Sequence, residues 1–131
     1  MRYHLSLFVA CLPALLGTSV AAAPLATQSS TVSDVTIKAT PLTVTGDRWT
    51  FAIELETHAG DLSDDLVKSA SLMADDGGTL SPLDWRVDVP GGHHRKGTLE
   101  FRAAGSPPAR IELKILRAGE AAPRVFRWQL R

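Results

Sequence analysis

The histidines that follow the first two dozen residues fall in two short segments: His58 in Thr57-His58-Ala59-Gly60-Asp61-Leu62, and the pair in Pro90-Gly91-Gly92-His93-His94-Arg95-Lys96-Gly97. Imidazole is the commonest side-chain metal ligand and suits zinc and copper, while aspartate supplies the oxygen donor that completes many such sites. The sharpest chemistry on offer is therefore a copper or zinc ion held by His58 and one of the pair, with Asp61 or Asp65 adding an oxygen. Neighbouring strand residues point to opposite faces, so His93 and His94 share one ion only where the backbone is irregular, which Gly91 and Gly92 permit. If the strand after the glycines begins early, His94 joins the face of Thr98 and Glu100. By the same parity His58 joins the face of Glu54 and Glu56. His58 and His94 are the expected partners, with His93 turned toward the body of the domain.

Two other readings compete with metal. Arg95 and Lys96 would oppose a cation, and with the N–H groups of a glycine turn they suit an anion or a carboxylate. Alternatively the histidines bond to loop carbonyls or to Asp61 and fix the loops, leaving the Pro90–Gly97 loop to contact an unidentified periplasmic protein. Catalysis draws no support. The chain has no Gly-x-Ser-x-Gly, no His-Glu-x-x-His and no phosphate-cradling loop, so an enzyme is not expected. Asp75-Asp76-Gly77-Gly78 reads as a hairpin turn. Asp61, Asp64 and Asp65 lack the glycine and distal glutamate of a calcium loop and read as a solvated helix cap.

The elements that must position these residues are strands. Trp49, Phe51, Ile53, Leu55 and Thr57 alternate with Thr50, Ala52, Glu54 and Glu56, the period of a half-buried strand. The same period marks Val35 to Ala39, Gly97 to Phe101, Arg110 to Leu116 and Val125 to Leu130. Leu66 to Met73 reads as a further strand before the hairpin. Pro82 and Pro90 confine residues 79–89 to an edge or an interrupted strand, with Trp85 as its inward anchor. Trp49 and Trp128 lie on apolar faces and read as core anchors rather than an exposed platform. No stretch of ten residues has a helical period. An all-β, immunoglobulin-like antiparallel β-sandwich of about seven strands follows, spanning residues 33–131 after a flexible lead-in at 23–32.

Ahead of it, Met1-Arg2-Tyr3-His4, the apolar run Leu5 to Leu16 and the small residues Gly17 to Ala23 have the three-part layout of a secretory signal peptide. The run is too short to span a bilayer. Cleavage is expected after Ala22 or Ala21, giving a periplasmic or secreted chain with no stable membrane anchor. The single cysteine, Cys11, lies in that leader, so the mature chain has no disulfide and no thiolate ligand. Fourteen basic and fourteen acidic side chains cancel, leaving no field to gather nucleic acid.

Taken together, Thr57-His58-x-x-Asp61-Leu62, Leu66, Trp85, Gly91-Gly92-His93-His94, Gly97-x-Leu99-x-Phe101 and Arg124-x-Phe126-x-Trp128 resemble a small domain of exported bacterial and archaeal proteins without an established function. The resemblance covers about residues 49–130. It implies that both histidine segments belong to the domain's shared design, and it implies no reaction.

Overall fold

The computed structural model describes residues 25–75, 77–87, 91–103 and 107–131; residues 1–24, Asp76, residues 88–90 (with Pro90 of the glycine-histidine segment) and residues 104–106 lie outside them. The chain forms β1 (Gln28–Val32), β2 (Val35–Thr43), β3 (Arg48–Thr57), α1 (Leu66–Ser69), β4 (Ala70–Ala74), β5 (Thr79–Leu80), β6 (Pro82–Val87), β7 (His94–Arg102), β8 (Arg110–Ile115) and β9 (Arg124–Gln129). One sheet has the order β1-β2-β3-β7-β6 and the other β5-β4-β8-β9, every pairing antiparallel. This is the all-β antiparallel sandwich that the alternating pattern predicts.

Strict alternation builds the core. Trp49, Phe51, Ile53 and Leu55 of β3 are buried with Ile37 and Ala39 of β2, Leu99 and Phe101 of β7, Ile111, Leu113 and Ile115 of β8, and Phe126 and Trp128 of β9. Phe51 ties the sheets together: it meets Phe101 edge-on at 5.8 Å within its own sheet and Trp128 of the facing sheet at 5.8 Å. The predicted hairpin after β4 forms, with Leu72 opposite Leu80 and Met73 opposite Thr79.

The structure corrects the sequence reading in two places. Residues 28–32, expected within a flexible lead-in, are a strand paired with β2 along its whole length. Its turn is Ser33 and Asp34, both at positive φ (45° and 63°), the backbone of a tight hairpin that usually calls for glycine. β1 has no apolar alternation because it is an exposed edge. It is held instead by its ladder, by Thr31 bonding Thr36 at 2.7 Å, and by Gln28. The Gln28 side-chain amide bonds both the N–H and the C=O of Arg127, standing in for a strand partner along the free edge of β9. The second correction concerns Leu66–Ser69, expected as strand, which is a single helical turn. Asp65 caps it by accepting from the Val67 N–H at 3.1 Å. Leu66, Ala70 and Leu72 are buried but Lys68 is exposed, so the two-residue period fails across the helical turn and holds from Ala70, where the expected strand forms as β4.

β6 is an edge strand that starts on Pro82 and shifts register between Pro82 and Asp84. Trp85 packs inward over Gly97, where a Cβ would lie 2.7 Å from the indole and 2.5 Å from the Arg86 carbonyl. Gly97→Ala is expected to lower stability by about 1–3 kcal/mol, measured by urea unfolding. Arg124, 4% exposed, forks onto the Glu120 carboxylate and the carbonyls of Ser30, Val32 and Val35. Arg124→Ala strands those buried acceptors and is expected to cost about 3–5 kcal/mol. Arg124→Lys should restore little, because an ammonium cannot span the fork.

Candidate functional site

The β3–β7 register decides what stands on the outer face of the first sheet. Glu56 pairs with His94 and Glu54 with Lys96, while across β2 Thr36 pairs with Glu56 and Lys38 with Glu54. Two rows therefore cross the sheet, Lys38–Glu54–Lys96 and Thr36–Glu56–His94. Long side chains also reach diagonally. His94 Nε2 donates to Glu54 Oε1 at 2.7 Å and lies 3.6 Å from Glu56 Oε1. The donor atoms of Glu54, Glu56 and His94 all lie within 4.8 Å of one another.

Beside this cluster a concavity of about 460 Å³ is lined by Thr31, Asp34, Thr36, Glu56, His58, His93 and His94. All three expected histidines thus reach the same rim. Backbone bonds hold their loops together: Thr57 N–H donates to the His93 carbonyl at 2.9 Å, Leu62 N–H to Gly92 at 3.1 Å, and Gly91 N–H to Leu62 at 3.0 Å. Gly91 and Gly92, at φ 92° and 82°, supply the left-handed conformations that let the loop fold back against residues 57–62. Thr57 Oγ1 donates to the Ala59 carbonyl at 2.7 Å and fixes the turn that carries His58.

Several expectations need revising at the level of single side chains. His93 does not turn into the domain; it is exposed on the rim. His94 is on the outer face as predicted, but its nearest partners are the two glutamates. His58 stands on the wall of the concavity, outside the 4.8 Å cluster. Asp61 and Asp65 line a different cavity, with Asp64, Lys68, Arg117 and Glu120. There Asp65 caps α1 and lies 3.8 Å from Lys68. Arg95, expected as a cation beside the site, faces the opposite way. It is 3% exposed, donates to the Asp64 carbonyl at 3.1 Å, and its Nε has no partner among the described residues. Of the two cations only Lys96 faces the cluster.

Glu54 and Glu56 are the donors that the sequence reading placed on this face without giving them a role. The signal was present: outward parity in β3 combined with outward parity for His94. What the sequence lacked was the register that puts those residues side by side.

The hydrogen bond from His94 holds the Glu54 carboxyl below the usual glutamate range. Burial opposes the shift, while Glu56, Lys96 and Lys38 reinforce it. Because the folded-state value is depressed, the stabilisation is present at neutral pH and is lost as pH falls through that value. Followed by NMR, Glu54 is expected to titrate below an ordinary glutamate, and His94→Ala should move its midpoint upward. An unmoved midpoint would assign the shift to the lysines instead.

No protein-family model, curated protein or solved structure matches this chain.

Proposed function

We propose that the chain is a small exported binding module that takes one transition-metal ion, copper or zinc, at the histidine rim of its five-stranded sheet. The observation that carries this reading is convergence. His58, His93 and His94 come from two segments 35 residues apart in sequence (93 less 58), yet they line a single concavity with Glu56. A neutral imidazole and a carboxylate are the nitrogen and oxygen donors that such ions accept. His94 and Glu56 form the strand-borne part of the ligand set. His58, exposed on its turn, completes the set from across the concavity by rotation of its side chain. Asp61 and Asp65, bound up in the other cavity, leave the ligand set, and Glu54 and Glu56 take over the oxygen role.

Calorimetric titration of the chain with Zn(II) and with Cu(II) tests the proposal. Saturable binding of one ion per chain is expected, weakened more than about tenfold in His58→Ala/His94→Ala. No saturable binding, or an unchanged affinity in the double variant, removes it.

A further inference from the structure

The candidate metal cluster already contains cations of its own. Lys38 of β2 places Nζ 3.2 Å from both carboxylate oxygens of Glu56. Lys96 of β7 places Nζ 3.6 Å from Oε1 of Glu54. Register fixes this arrangement, since Lys38 and Lys96 flank Glu54 from the strands on either side of β3. The two carboxylate charges are therefore matched by two ammonium charges on one patch of sheet, while the imidazole of His94 needs no charge to bind a metal.

We infer that Lys38 and Lys96 determine which class of cation the site accepts. The inference rests on the metal reading above. Calcium and magnesium bind almost wholly through oxygen ligands, carboxylates foremost, and gain little from an imidazole. For them the site is a neutral patch whose oxygens are already in use. Copper and zinc also lose carboxylate charge to the lysines, but they gain nitrogen bonds that the lysines do not contest. An oxygen-seeking ion must draw on both carboxylates and so displace both ammonium groups, whereas copper or zinc, held by imidazole and Glu56, displaces only the one on Glu56. The lysines therefore cost hard cations more, which widens the preference for transition metals. The lysine pairs are part-exposed, at 37% and 61% for the lysine side chains. Exposed ion pairs are weak, so an incoming transition ion can displace them without loss of fold.

The test compares Zn(II) and Ca(II) affinities by calorimetry for the wild-type chain, Lys38→Met/Lys96→Met and the charge-retaining Lys38→Arg/Lys96→Arg. Thermal melting followed by circular dichroism shows that each variant folds. Should the double methionine variant fail to fold, Lys96→Met, at the more exposed lysine, replaces it. Removing both positive charges is expected to tighten calcium by roughly tenfold or more at low salt, and by less at physiological ionic strength. Zinc should tighten less, so the zinc-over-calcium preference narrows, while the arginine variant keeps the wild-type preference. A preference that stays within about twofold of wild type in the methionine variant, or that narrows equally in the arginine variant, overturns the inference. If the wild-type chain takes neither zinc nor copper, the proposed function falls. Calcium affinity in the methionine variant relative to the arginine variant then still decides the lysines' role: a gain supports it, and equality defeats it.

Discussion

The antiparallel register of β3 against β7 is the constraint on which the rest depends. One set of alternate residues, Phe51 and Leu55 opposite Leu99 and Arg95, faces the core; the other, Glu54 and Glu56 opposite Lys96 and His94, faces water. A slip of one residue would exchange the two sets, putting carboxylates among phenylalanines and apolar side chains into solvent. Burial of Phe51, Ile53, Leu99 and Phe101 to 1% exposure or less makes that slip prohibitive. The geometry of the outer cluster is thus inherited from the core. The backbone positions that carry these part-exposed donors are set by the same register that buries the core.

The same end of the sandwich is closed by a relay of charged groups. Arg95 donates to the Asp64 carbonyl, the Asp64 carboxylate accepts from Nε and Nη2 of Arg117 at 2.8 and 3.0 Å, Nη1 of Arg117 lies 3.6 Å from Glu120, and Glu120 receives Arg124, which reaches the carbonyls of the β1–β2 hairpin. Charges this deeply placed are costly unless their hydrogen bonds are met. Arg117 and Arg124 meet that condition, whereas Arg95 leaves its Nε unpaired among the described residues. No described residue is a cysteine, so the loops here are held without a disulfide. The relay joins the 61–65 segment to the 116–120 loop and to the first hairpin. Backbone bonds then join 57–62 to 91–93. The loops that carry His58 and His93 are therefore braced from below by side chains and laced together by backbone.

How much of this was legible depended on whether the signal was local. Alternation in Trp49–Thr57, Arg110–Ile115 and Val125–Leu130 is a property of a single strand, and it gave the sandwich, its core and the outward aspect of His94. β1 was missed because its sequence, Gln-Ser-Ser-Thr-Val, has no apolar face to reveal; its strand state comes from pairing with β2 and from the Gln28 amide on β9. α1 was missed because Leu66 and Ala70, four residues apart, share a face in a helical turn as they would in a strand, and only the exposed Lys68 between them tells the two apart. Arg95 is expected beside the site because it adjoins the histidine pair in sequence. Inward parity in β7, the parity of Leu99 and Phe101, overrides its charge and places it inside. The partnership of Glu54 and Glu56 with His94 is a fact of register between strands some 40 residues apart, and no single-strand pattern contains it.

The candidate site divides into two mechanical classes. Glu54, Glu56 and His94 stand on paired strands whose backbone cannot shift without breaking the ladder. His58 and His93 are exposed on turns bordered by Gly60, Gly91 and Gly92, which sit at positive φ. Scaffold-borne groups give precision and loop-borne groups give reach. For the proposed metal role this division has a physical consequence: the strand cluster fixes where an ion sits, and the loop imidazoles adjust to the coordination angles it prefers. Tetrahedral zinc and tetragonal copper differ mainly in those angles. A site assembled half from sheet and half from loop therefore discriminates poorly between the two. In the proposed role, its sharper discrimination would lie against ions that bind through oxygen and gain little from imidazole.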